Sequence, residues 1–471
     1  MKTKIGDGWR RARLALAFAL ALGWFVAGGA TPSDALPLYA ARSARTCDNC
    51  HALPNKWENP DTLWRKCSMA CVTCHIDPSG GGMRNVVGRY YAESTLPMML
   101  AGYRGYEDRG RWPTDDLGGA RVHRVPEAAW GSPLGASSRM AFLSRRYFGL
   151  NADPLLQVGL DARLAAWATS ESATVFPMQL DTHAAVHPVP YLTLHTTAGV
   201  LARAKGFEAT LDRETVYAVK DVALMVHQLP GMAYARVGRF VPAFGTRLAD
   251  HTSYVRRDFE LDLSTQHSRV VGAEVGLSPN YPYGQLSVFR PNQADLLDGA
   301  DPFNDRDPPW LGVDGWGMAA NAGWRDLLYS VGASYMMKRR DLFDGGDTAA
   351  GSVQAALNLW ALSDDVPLTF LAEAAVGRRQ RPLSGTSTWH IASFVEADWL
   401  AMNGLNLRLK YDFNDPDGAV GADHVNRFGA GFDFHPIPNM MLTGQARLGV
   451  PAAEELEDPL VDFFFFLRTW L

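Results

Sequence analysis

Leu405-Asn406-Leu407-Arg408-Leu409-Lys410-Tyr411-Asp412-Phe413 alternates apolar and polar side chains without a break. A period of two is that of an extended strand, so one face of the sheet carries leucines and aromatic rings while the other carries an amide, two cations and a carboxylate. Working outward, residues 427–434 set Phe428, Ala430, Phe432 and Phe434 on one face, the Pro436-Ile437-Pro438-Asn439 run is a turn, and residues 442–448 alternate again. Upstream, residues 391–399, 368–376, 329–335, 285–288 and 160–167 read similarly, some less cleanly. Repeated alternation with turn residues between predicts meandering antiparallel hairpins.

A soluble β-sandwich would alternate too, but its polar face would be wet. The 14 Trp, 15 Tyr and 22 Phe of the chain would then have little reason to stand at strand ends. Trp399, Tyr411, Phe413, Phe432 and Phe434 fit the aromatic girdles of a membrane barrel better. In lipid every backbone group needs an internal partner, so such strands must close on themselves with apolar residues outward and polar ones toward the lumen. Residues 137–471, at roughly 20 residues per strand and connection, predict an all-β transmembrane barrel of about 16 antiparallel strands, an even number. Such a lumen is wide enough for a plug.

The 471 residues exceed what this barrel needs. Lys2, Lys4, Arg10, Arg11 and Arg13 precede an apolar run over residues 14–27, followed by small residues at 28–30 and again at Ala35. This is the layout of a cleavable secretory signal over residues 1–30, with cleavage as late as 40. Arg10-Arg11 is a poor twin-arginine address beside Trp9 and Ala12, and no cysteine near the cleavage region offers a lipid anchor. Beyond the signal no run of 18 apolar residues occurs, which excludes spanning helices but not a barrel. The net charge of -5 gives no reason to expect nucleic acid as a partner.

Between the signal and the barrel stand Cys47-Asp48-Asn49-Cys50-His51 and Cys71-Val72-Thr73-Cys74-His75. Two thiols three positions apart can form thioethers to the two vinyl groups of one porphyrin, and the adjacent histidine then ligates the iron. Each motif therefore predicts one covalent haem c: Cys47 and Cys50 with His51, and Cys71 and Cys74 with His75. A four-cysteine zinc ribbon also fits the spacing, though it needs no histidine after each pair and suits an exported chain less well. Export gives the cysteines an oxidising compartment. Cys67, the fifth cysteine, is left over. An iron-sulfur run through Cys67, Cys71 and Cys74 would leave His75 without a role, so Cys67 reads as a bystander thiol or a transient partner during haem attachment.

Residues 31–100 thus form a small dihaem domain, helical or irregular, and residues 101–136, rich in Gly, Arg, Asp and Pro, a connector. Distal iron ligands are open between Met69, Met83, His123 and His251, each of which is as readily a packing, loop or turn residue. Gly80-Gly81-Gly82 either lets backbone approach a porphyrin or makes a plain turn.

The terminal run Phe463 through Trp470 and Leu471 looks like the closing strand of outer-membrane barrels, although the aromatic sits one residue before the last. The run Gly238-Arg239-Phe240-Val241-Pro242-Ala243-Phe244-Gly245 resembles a strand end of bacterial outer-membrane porins. With the two haem motifs, the chain resembles the porin-cytochrome fusions of iron-oxidising bacteria, whose best-known members carry one haem where this chain carries two. The resemblance implies a protein of the bacterial outer membrane whose haem domain, periplasmic or lodged in the lumen, passes electrons between a periplasmic carrier and an extracellular redox partner. A substrate porin whose haem domain gates or senses redox state is the alternative. A dihaem peroxidase would need an open axial position and distal acid-base residues, and no such constellation is visible, so no enzyme is expected.

Overall fold

The computed structural model describes Cys71, residues 75–85 and, apart from stretches in the connections between strands, residues 155–470. The strands are β1 (Leu156–Thr169), β2 (Ala173–Val189), β3 (Leu192–Leu201), β4 (Val216–Leu229), β5 (Ala233–Phe240), β6 (Val270–Leu277), β7 (Pro282–Arg290) and β8 (Gly315–Arg325), followed by β9 (Tyr329–Arg340), β10 (Thr348–Asn358), β11 (Leu368–Gln380), β12 (Ser387–Met402), β13 (Leu405–Asp415), β14 (Val425–Phe434), β15 (Met440–Pro451) and β16 (Leu460–Trp470). Each pairs antiparallel with its sequence neighbours, and β16 pairs with β1, which closes the barrel. The alternating segments of the sequence lie inside β1, β7, β9 and β11–β15, which run longer because backbone pairing continues past the point where side-chain alternation stops. The phenylalanine-rich terminal run is the closing strand.

The pleat sorts side chains as lipid demands. On β13, Asn406, Arg408, Lys410, Asp412 and Asn414 are buried toward the lumen, while Leu409 is 64% exposed on the outside. On β12, His390, Glu396 and Asp398 face inward, and Ile391, Val395 and the two tryptophans Trp389 and Trp399 face outward. At about 3.3 Å per residue and a tilt near 40°, those tryptophans stand roughly 25 Å apart across the membrane, the height of the apolar band of such barrels.

The two ends of the barrel differ. One is closed by tight turns such as 190–191, 278–281 and 403–404; the other carries the long connections 202–215, 241–269 and 291–314. Because the strand number is even, β1 begins and β16 finishes at the tight-turn end, where Asp161 stands opposite Trp470.

The connection after β5 does not stay outside. Phe244, Leu248, Val255, Phe259 and Leu261 are buried against inward residues of β7–β12, among them Phe289, Met336, Leu371 and Phe394. This segment contains α1 (Tyr254–Arg257), a single turn. Arg256 pairs with Glu373 of β11 at 2.7 Å, Thr246 donates its amide to the same carboxylate at 2.9 Å, and Gly245 donates to the Ser334 hydroxyl at 2.8 Å. Gly245 has φ +58°, and a Cβ there would lie 1.9 Å from a Glu373 oxygen, so no larger residue fits. Glu260 pairs with Arg340 at 2.6 Å and with Lys338. Lys410 reaches Asp250 at 2.8 Å, and Arg427 donates to the Thr252 carbonyl at 2.6 Å while stacking on Tyr254. The segment is thus tied to β9, β11, β13 and β14 across the lumen.

Candidate functional site: a haem-motif segment in the lumen

Of the haem-attachment residues, Cys71 and His75 lie within the described residues; Cys47, Cys50, His51 and Cys74 lie outside them, as do Cys67, Met69, His123 and His251. The 1–30 signal, nearly all of the 31–100 domain and the 101–136 connector likewise fall outside.

His75 opens a tight reversal. It bridges to Arg84, and the Ile76 amide donates to the Met83 carbonyl at 3.0 Å. The glycine run is the turn: Gly80, Gly81 and Gly82 have φ of +83°, +77° and +57°, all left-handed, a conformation that glycine adopts at little cost. Met83, a candidate iron ligand on sequence, is buried with Ile76 against Ala185 of β2.

This hairpin sits inside the barrel and spans it. Arg84 lies over the Trp470 ring of β16, at 5.4 Å, and Ser79 accepts from Gln285 of β7 at 3.1 Å. The anchor is Asp77, whose carboxylate meets Arg247 at 2.7 Å and Arg236 at 3.2 Å. Arg236 is held in turn by Glu274 at 2.8 Å, which accepts from Tyr234 and Ser287, each at 2.7 Å. Burial opposes ionisation of Asp77, but the two guanidiniums outweigh it and hold the carboxyl well below the usual carboxylate range.

His75 is arranged as a ligand would be. Its Nδ1 lies 3.1 Å from the Gly81 carbonyl, which can only accept, so Nδ1 carries the proton. Burial, and then the Arg84 charge, push the imidazole down to about 3, so the ring is neutral at physiological pH. A neutral ring with its proton on Nδ1 keeps the Nε2 lone pair for a metal, and a backbone carbonyl on the other nitrogen is the usual way such a ring is oriented. Cys71 is a free thiol, and its carbonyl accepts the His75 amide at 2.9 Å, so the first cysteine and the histidine of the motif are held one turn apart. A Cβ on Gly80 would lie 3.4 Å from the Cys71 sulfur. This donor set fits haem c. Among the described residues no group of three or more His, Cys, Asp or Glu is placed to hold a metal ion by itself.

Beside Cys71 and Ser79 lies a cavity of about 100 Å³ between the hairpin, the inward connection and the wall, where Arg247, Arg256 and Arg325 converge with Tyr234, Tyr283 and Gln354. Sequence reading did not find these residues. The available signal was charge at inward positions of strands, Arg236 and Arg325 among them, but the sequence does not say which wall charges face one another.

No protein-family model matches the sequence, and no curated protein does. Among solved structures, the chain is similar to an anion-selective porin from Comamonas acidovorans at 9% identity, covering 67% of this chain and 99% of that one with a TM-score of 0.46. It is similar to the outer membrane channel DcaP of Acinetobacter baumannii at 12% identity, covering 67% and 97% with a TM-score of 0.47, and to OmpT, an outer-membrane protein of Vibrio cholerae, at 9% identity, covering 67% and 97% with a TM-score of 0.46.

Proposed function

We propose that the chain is a porin-type barrel of the bacterial outer membrane that carries its haem-attachment segment in the lumen and passes electrons between the periplasm and the cell exterior. The observation that carries this reading is the position of Cys71 and His75 inside a lipid-facing barrel, on a hairpin pinned by Asp77 to Arg236 and Arg247. In this reading Cys71, Cys74 and His75 hold one haem c, and Cys47, Cys50 and His51 hold a second. The haems supply one-electron redox chemistry. The barrel wall supplies a channel through an otherwise insulating bilayer, Asp77 keeps the motif in place, and the Gly81 carbonyl keeps the His75 proton on Nδ1, which leaves the Nε2 lone pair for iron. Tight turns face the periplasm and long connections the exterior, as is usual for such barrels, so the hairpin, close to Trp470, lies in the periplasmic half. Partners would be a periplasmic electron carrier on one side and an extracellular redox partner on the other.

The barrel taken alone supports the second reading, a substrate porin whose haem segment gates or senses, because its lumen is lined with charge and narrowed by the connection 241–269. Proteoliposomes separate the two. With reductant outside, an oxidised dye sealed inside and small-solute leakage recorded in parallel, dye reduction without leakage is expected of the conduit. Leakage without haem-dependent reduction would favour the pore. Changing Cys47, Cys50, Cys71 and Cys74 to Ala should abolish covalent haem, and an undiminished haem stain in that variant would remove the basis of both.

A further inference from the structure

The cavity beside Cys71 is walled by three arginines, Arg256 and Arg325 buried and Arg247 partly buried, and among the described residues no carboxylate lines it. Two of the three charges are matched at the cavity's edge, Arg247 by Asp77 and Arg256 by Glu373, each at 2.7 Å. Arg325 is different. It is 8% exposed, donates to the Ser278 hydroxyl and stacks on Tyr283 at 4.5 Å, and no carboxylate lies within ion-pair distance of it among the described residues. The Nε–H groups of all three arginines are buried without a hydrogen-bond partner. A buried guanidinium with no counter-charge is costly, and several unmatched N–H donors around one void compound that cost. A small oxyanion removes both penalties, since guanidinium N–H groups match carboxylate and phosphate oxygens. Of the neutral polar groups around the same space, Tyr234, Gln285 and Gln354 spend their protons on Glu274, on Ser79 and Tyr234, and on Tyr283 and Asn321, whereas the Tyr283 hydroxyl accepts from Gln354 and keeps its own proton to donate.

We propose that this cavity is an oxyanion-binding site, with Arg325 supplying the charge that the anion neutralises and Arg247 and Arg256 supplying further donors. The inference does not depend on the electron-transfer reading. The ligand chemistry, a carboxylate or phosphate-like group, has two sources here: a free anion in the lumen, or a propionate of a haem attached at Cys71.

The test is calorimetric titration of inorganic phosphate into the purified full chain in detergent, in its haem-loaded form and in the form with Cys47, Cys50, Cys71 and Cys74 changed to Ala. Phosphate binding to both forms, weakened tenfold or more by Arg325→Met and unchanged by the outlying Arg290→Met, is the result expected for a free anion. Binding to the haem-free form alone, with the same dependence on Arg325, assigns the seat to a propionate. Arg325→Lys, which keeps the charge but loses the fork, should weaken binding less than Arg325→Met. Heat-modifiable migration on gels verifies that each variant is a closed barrel. Absence of phosphate binding in both forms, or an affinity indifferent to Arg325→Met in a closed barrel, would overturn the proposal. A chain that never acquires haem would defeat the electron-transfer reading and leave this one to be decided by the haem-free titration.

Discussion

At the scale of single residues, Asp77 does the most to place the haem motif. It joins a hairpin near the start of the chain to Arg236 and Arg247, which lie 159 and 170 positions downstream. Breaking a buried pair by removing one partner costs about 3 kcal/mol or more, because the remaining charges stay buried. Asp77→Asn should therefore speed hydrogen exchange of the Ile76 amide by roughly a hundredfold, measured by mass spectrometry, while exchange in β12 and β13 stays as it was. Acid should not mimic that substitution under mild conditions. A carboxyl whose folded value is depressed contributes its stability above the ordinary carboxylate range and loses it only as pH falls toward the depressed value. Ile76 protection should accordingly persist from pH 7 to about pH 5 and decline only in stronger acid. Protection lost already between pH 6 and 5 would show that another group holds the hairpin.

At the scale of elements, the strands are legible in the sequence because lipid on one side and buried polar groups on the other impose a two-residue rhythm that few other environments produce. Leu405 to Phe413 shows it in full, and β12 to β15 follow from the same rule. The inward connection 241–269 is not legible. Its seat depends on Glu373 meeting both Arg256 and the Thr246 amide, and on a glycine at 245 whose missing side chain makes room for that carboxylate. These are pairings between distant positions, and neither composition nor period encodes them. The C-x-x-C-H spacing of Cys71 to His75 is plain in the sequence, whereas the place of His75 within the lumen rests on Asp77, an aspartate with no distinguishing local signal. The strand rhythm also sets what substitution costs. Leu409→Arg, at an outward position well inside β13, should destabilise folding into vesicles by about 2–4 kcal/mol in a urea titration, and a smaller loss would place Leu409 nearer the membrane interface than its register implies. Gly245→Ala should displace the inward connection from β9 and β11 and raise single-channel conductance in planar bilayers. An unchanged conductance would mean that the connection does not narrow the path.

At the scale of the whole molecule, closure depends on one seam between elements far apart in the chain. Along it Arg468 pairs with Asp161 at 2.6 Å, and Asp161 also holds Arg163. Arg468→Ala leaves that carboxylate with Arg163 as its ion-pair partner among the described residues, and the temperature at which the folded gel band disappears should fall by several degrees. A midpoint unchanged from the parent would assign closure to the backbone ladder alone. Every other backbone pairing between strands joins sequence neighbours. The wall is consequently a ring with no intrinsic beginning: a gene rearranged to join residue 470 to residue 155 through a short linker, and opened within 293–300, should still yield the same cylinder. The hairpin of residues 75–85, held by Asp77 to Arg236 and Arg247 and not by the strand ladder, would be left out of that rearrangement. Such a rearranged molecule would separate the container from its contents, and would show whether an empty cylinder can assemble before anything is placed within it.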